Sequence, residues 1–183
     1  MRKINTFMTA GIMLLFLVHL IWGVLIMMGI TQGGSGVFSV CTYIMMVLTG
    51  LHILIGCKLT FDTIMAIRKA GVSYPGRNRL FWIRRLSGFA LVIFLCIHSW
   101  IFSGTTVNGV YRLRHYDMAA FAAQILMVIS LAVHLATNIR PLGIALGIED
   151  TKNIRTDILI VLSVTLLLAA IGFVIYLIRW QTL

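Results

Sequence analysis

The chain has 183 residues, of which 60% are hydrophobic and 11% charged, and its mean hydropathy is +1.01. A water-soluble domain of this size carries roughly 25% charged residues, so there are too few polar side chains to cover a globule and the solvent must be lipid. This excludes a soluble enzyme, a nucleic-acid module or a disordered tail. Lys and Arg outnumber Asp and Glu 15 to 5, a formal net charge of +10; the basic residues lie between apolar blocks and so read as topology signals.

The sequence predicts an all-α membrane protein, a single membrane domain over 1–183 built as a bundle of five transmembrane helices. The first runs from about 7 to 30. Met1-Arg2-Lys3 ahead of it has the look of a signal peptide, but the apolar run is long and has no small-residue cleavage site, so it is read as a retained helix. Gln32-Gly33-Gly34-Ser35-Gly36 is a tight turn. The second apolar run, 37–58, continues past Lys58 as an amphipathic tail with Thr60, Asp62 and Thr63 to about Ile67. A helix over 37–67 is about 46 Å long, against a hydrocarbon core of roughly 30 Å. Its last turns therefore stand in the interface, with Lys58 near the boundary. Tyr74-Pro75-Gly76 marks a turn in a basic loop. The remaining spans are expected at about 86–104, 118–138 and 157–178.

Orientation follows from the basic residues outside the spans. Arg2, Lys3, Arg68, Lys69, Arg77, Arg79, Arg84, Arg85, Arg140, Lys152 and Arg155 fall on one side, and only Arg112, Arg114 and Arg179 on the other. The N-terminus is thus expected in the cytoplasm and the C-terminus outside. No internal repeat, linker or low-complexity segment is evident, and the connections are too short to fold alone, so chemistry on soluble substrates falls to partner subunits. Cys41, Cys57 and Cys96 match no disulfide or zinc spacing, and without a C-x-x-C-H motif a covalent c-type haem is not expected.

Each of the first four spans carries one histidine: His19, His52, His98 and His134. An ionisable group inside the bilayer is costly and usually functional, although a neutral histidine bonded across a helix interface is the plain alternative for any one of them. Their depths are paired. His19 and His98 each lie about 12 residues along a span running outward, while His52 and His134 lie near the inner ends of spans running inward. That arrangement suits two bis-histidine haems stacked across the membrane. Gly23, Gly50, Gly56, Gly88, Ser99, Ser130 and Ala136 stand near the histidines, where a macrocycle needs small residues; small residues are also common at any membrane helix interface. Zinc is disfavoured because no Cys or carboxylate joins the histidines. A proton relay would normally recruit Asp or Glu.

Arg84-Arg85-Leu86-Ser87-Gly88-Phe89-Ala90-Leu91 followed by His98 resembles the haem-binding third span of succinate dehydrogenase and fumarate reductase cytochrome b subunits, where an R-x-[ST]-G-like start precedes the ligand by about ten residues. Val133-His134-Leu135 followed by Asn138-Ile139-Arg140-Pro141-Leu142-Gly143 is similar to the next ligand helix of that family. Five spans with a histidine in each of the first four resemble its dihaem, single-subunit class. The resemblance implies that His52 and His134 hold the proximal haem b, and His19 and His98 the distal one. It implies a quinone, most often menaquinone, as membrane substrate, and electron transfer to cytoplasmic iron–sulfur and flavoprotein subunits of a succinate:quinone or quinol:fumarate oxidoreductase. The chain would be the electron-transfer and quinone-reactive subunit, and the dicarboxylate chemistry would lie elsewhere. It implies the cytoplasmic membrane of a bacterium; a dimer of the whole complex stays open. Ala132 stands where some dihaem fumarate reductases carry a glutamate two residues before the fourth ligand.

Haem propionates need donors or cations at the membrane surface. The candidates are Thr6, Lys58, Trp82, Arg85, Ser87 and Arg140; the basic ones also satisfy the positive-inside rule, and Trp82 the aromatic belt. For the quinone, the segment with Asn108, Arg112, Arg114, His115, Tyr116 and Asp117 holds the densest set of polar groups on the outer side. Of these, Asn108, Arg114, His115 and Asp117 are the quinone candidates. For Asp117 the favoured reading is an N-cap of the helix beginning at Met118. The competing functions are a dihaem anchor of a hydrogenase or formate dehydrogenase, and a haem-free transporter or scaffold. The first would copurify with a different enzyme, and the second lacks the inverted repeat and broken helices common in transporters.

Overall fold

The computed structural model describes residues 2–31, 36–71, 79–103, 105–107, 110–112, 116–148 and 151–181. Five helices carry the chain: α1 (Arg2–Met27), α2 (Val37–Lys69), α3 (Arg79–Phe102), α4 (Met118–Ala145) and α5 (Thr151–Gln181). All five are long and apolar enough to cross a membrane. Between α3 and α4 stands a two-stranded antiparallel ribbon, β1 (Thr105–Val107) and β2 (Val110–Arg112), where the sequence reading had only a loop. The overlooked signal was Asn108-Gly109 between two short runs rich in β-branched residues, the strongest short-range hairpin cue.

The helix ends differ from the predicted spans for identifiable reasons. α1 stops at Met27 because Gly29 takes a left-handed φ of 76°, and the Ile30 N–H then bonds back to the Leu25 carbonyl. α4 ends the same way, with Gly147 at φ 77° and the Ile148 N–H on the Gly143 carbonyl. Both are glycine caps that satisfy carbonyls the helix leaves open. Before that cap, α4 runs straight through Pro141 rather than ending near 138. α3 begins at Arg79, well ahead of residue 86, because hydropathy measures apolar length and the basic turn before it is equally able to be helical.

The chain divides into two compact units, Met1–Trp82 with Arg140–Thr151, and Ile83–Ile139 with Lys152–Leu183. In the first, α1 and α2 form an antiparallel hairpin: Thr9 meets His52, Gly11 approaches Leu48, His19 meets Thr42, and Trp22 stacks on Phe38 at 3.7 Å between ring centroids. In the second, α3 and α4 run antiparallel in the same manner, with Arg84 against Thr137, Ser87 against His134 and His98 against Gln124. Here α5 buries Leu162, Leu166, Ala169, Phe173 and Tyr176, an alternating three-and-four spacing that marks one helix face.

Large apolar side chains such as Leu54, Phe61, Leu86, Phe89, Val161 and Leu167 are exposed. In water that would be ruinous, but against lipid tails it costs nothing, and helix association rests instead on packing and interhelical hydrogen bonds. The hydroxyls obey the same solvent logic. Thr60, Thr63 and Ser163 each return their proton to the carbonyl four residues back, so none of these three donors faces hydrocarbon unsatisfied.

Candidate functional site

The four span histidines share one local geometry. His52 Nδ1 lies 3.3 Å from Thr9 Oγ1, His19 Nδ1 3.3 Å from Thr42 Oγ1, His134 Nδ1 3.4 Å from Ser87 Oγ, and His98 Nδ1 2.8 Å from Gln124 Oε1. Every partner stands on the neighbouring helix of the same hairpin. The direction of each bond follows from where the partner's own proton goes. Thr9 donates to the Asn5 carbonyl, Thr42 to the Phe38 carbonyl and Ser87 to the Arg84 carbonyl, and a carboxamide oxygen has no proton to give. With those protons committed, each oxygen is placed to accept from Nδ1, the arrangement in which a neutral imidazole carries its lone pair on Nε2. A second group that fixes the tautomer and aims the ring is the usual support of a metal-bound histidine.

These partners are spaced regularly. Thr9, Thr42 and Gln124 stand ten residues before His19, His52 and His134, and Ser87 stands eleven before His98. In an antiparallel hairpin that spacing produces two rungs, each a histidine facing a polar group on the other helix. The rungs lie about 15 Å apart along the helix axes. Two imidazoles on one iron stand only about 4 Å apart, twice a metal–nitrogen bond of about 2 Å. The two histidines of one hairpin therefore cannot share an iron.

The seat of His134 is the best defined. A Cβ added at Gly88 would lie 3.1 Å from Cε1 and 3.3 Å from Nδ1 of His134, so a glycine is needed for the ring to lie against α3. The helices are pinned beside it. Pro141 has no N–H, so the Thr137 carbonyl loses its ordinary helical donor, and Arg84 Nε donates to that carbonyl at 2.8 Å. The Arg84–Leu91 and Val133–Gly143 segments, separate in the sequence, thus meet through Arg84, Ser87 and Gly88.

The other site candidates are scattered. Lys58 is exposed and forms an i,i+4 ion pair with Asp62 at 3.8 Å. Arg140 is exposed, and Thr6 and Arg85 are half-buried. Ser87 donates to the Arg84 carbonyl at 3.2 Å, and its oxygen lies 3.4 Å from His134 Nδ1. Trp82 Nε1 is buried with no hydrogen-bond partner among the described residues. Asp117 is the N-cap of α4, its Oδ1 accepting the Ala120 N–H at 2.8 Å. It also lines a cavity of about 640 Å³ with Ile97, Trp100, Ile101 and Ala123. Asn108, Arg114 and His115 lie outside the described residues.

The residues suit a haem on three counts. The imidazoles each turn Nδ1 toward an oxygen of the neighbouring helix. One turn on from His19 and His52, on the same helix faces, a Cβ at Gly23 or Gly56 would meet nothing within 4 Å, so those faces have room. Buried donors without a partner among the described residues, Trp82 Nε1, the Tyr116 hydroxyl and Gln124 Nε2, suit carboxylate or water acceptors. Among the described residues, no three of His, Cys, Asp and Glu come together as a metal set; a haem iron asks the protein for only two ligands. Sequence reasoning missed Thr9, Thr42, Arg84 and Gln124. For Thr9, Thr42 and Gln124 the available signal was a polar residue ten positions ahead of a span histidine. No protein-family model, curated protein or solved structure matches the chain.

Proposed function

We propose that the chain is the cytochrome b membrane anchor of a succinate:quinone or quinol:fumarate oxidoreductase. In this reading His19 and His98 hold one haem b and His52 and His134 the other. The observation that carries it is the common setting of the four imidazoles, each with Nδ1 facing an oxygen on the neighbouring helix of its hairpin. Histidines kept only for packing would have no reason to repeat that setting once in each of four helices.

The haems, when bound, supply one-electron transfer across the membrane. The chain's own residues hold the rings apart by depth, exclude water with apolar helix faces and set ligand basicity through the Nδ1 partners. Trp82 Nε1 supplies a donor for a propionate, joined by Arg85 and Arg140. The distribution of basic residues supports an N-terminus in the cytoplasm and a C-terminus outside, and the family reading puts the chain in the cytoplasmic membrane of a bacterium. Iron–sulfur and flavoprotein subunits dock on the cytoplasmic face, and menaquinone reacts near the segment from Asn108 to Asp117.

A reduced-minus-oxidised spectrum with a pyridine haemochrome assay on the purified chain tests this reading. Two b-type haems per chain are expected. Protein isolated from its native membrane without haem would contradict it. Copurification with a hydrogenase in place of a flavoprotein would move the anchor to another complex.

A further inference from the structure

Gln124 is the least expected residue of the second hairpin. It sits in the second turn of α4 and is fully buried, at 0% exposure. A buried carboxamide is useful only where its hydrogen bonds are needed, since an unsatisfied one costs about 1–3 kcal/mol. Its Oε1 lies 2.8 Å from His98 Nδ1, and its Nε2 has no hydrogen-bond partner among the described residues. A leucine at this position would pack without either liability. The His98 ring also lies beside Phe102 at 4.9 Å and Phe173 at 6.4 Å between centroids.

The three hydroxyl partners stand at 3.3–3.4 Å from their rings and share their oxygen with a bond to the backbone. The carboxamide oxygen is closer, more strongly accepting and free of a proton of its own. We infer that Gln124 is a positioning residue for His98: its oxygen locks the ring as the Nδ1–H tautomer and makes Nε2 a more basic iron ligand than its three counterparts. This rests on the haem reading above. A more basic axial nitrogen favours ferric iron, so the haem held by His98 is poised at a lower potential than it would be without Gln124.

The test is a potentiometric titration of the purified wild-type chain and of Gln124→Met, a near-isosteric change that removes the strong acceptor. Two haems are expected in both. One of the two redox waves should move upward on the order of tenfold in its reduction equilibrium, about 59 mV for one electron, while the other stays put. Gln124→Glu, which keeps an acceptor oxygen at the same reach, should bring that wave back to or below its wild-type position. Nitrogen-15 spectra of histidine-labelled, haem-depleted protein give a second readout: His98 should carry its proton on Nδ1 in the wild type and lose that preference in Gln124→Met. A two-haem protein whose waves ignore both substitutions overturns this proposal and leaves the haem reading standing, as does a His98 protonated on Nε2. A wild-type chain that never binds haem overturns both.

Discussion

The two helix hairpins seat their histidines by different means. In α1–α2 both histidines lean on threonines at 3.3 Å, each threonine already bonded to its own helix, and α2 has no buried residue among those described. In α3–α4 the rings are gripped harder. His98 faces a fully buried carboxamide at 2.8 Å, and His134 lies against Gly88 and beside Ser87, which is only 8% exposed. Arg84 pins the same helices by capping the carbonyl that Pro141 leaves open. A threonine partner orients a ring without demanding much of the helix around it. A carboxamide or a glycine seat ties the ring to the exact approach of two backbones, so the second hairpin should respond more sharply to substitution.

The largest effect should come from Gly88. Gly88→Val places a side chain against the His134 ring, and the haem assay should fall from two haems per chain to one. Gly23→Ala, at a position open to 4 Å, should leave both. Equal losses from the two changes would break the contrast. Arg84→Met should lower thermal stability in detergent by about 1 kcal/mol, the low end of the cost of leaving a carbonyl without a donor, because the Thr137 carbonyl is only part-buried. Pro141→Ala in that background restores an N–H to the Thr137 carbonyl and should recover most of the loss. If it does not, the arginine is not acting as a cap.

Smaller shifts should follow Thr9→Val and Thr42→Val, because hydrogen bonds between membrane helices average only about 0.6 kcal/mol. Each should move one haem wave, and a different one, by less than Gln124→Met does. A threonine change that matches the glutamine change would erase the distinction between the hairpins. The smallest expected effect is at Tyr116, which is 1% exposed and 4.8 Å from the Tyr176 ring. Burial, and then Tyr176, raises its phenol above the ordinary value of 10.0. The folded state holds this proton more tightly than the unfolded one, so its stabilisation is complete below pH 10 and drains away as pH rises further. The wild type should lose stability above pH 10 more steeply than Tyr116→Phe, as thermal unfolding across that range would show.

Much of this was legible in the sequence. Spans of twenty apolar residues state their own solvent, and a histidine in each of four such spans stands out because the bilayer penalises it. The N-cap at Asp117 and the continuation of the second helix past Lys58 to about Ile67 follow from local rules of the same kind. What stayed hidden depends on which helix lies beside which. Gln124 reads as an unremarkable polar residue until α3 places His98 against it, and Arg84 reads as a topology charge until Pro141 and Thr137 give it a carbonyl. Helix ends at Gly29 and Gly147 were missed because hydropathy carries no information about φ. The ribbon at 105–112 was missed because two three-residue strands are too short to show a period.

The central claim is that the iron ligands pair as His19 with His98 and His52 with His134. Haem counts in paired substitutions test it directly. His19→Ala with His98→Ala should remove one haem and leave one, whereas His19→Ala with His52→Ala should remove both. The reverse outcome, one haem surviving the second pair and none the first, would contradict the account.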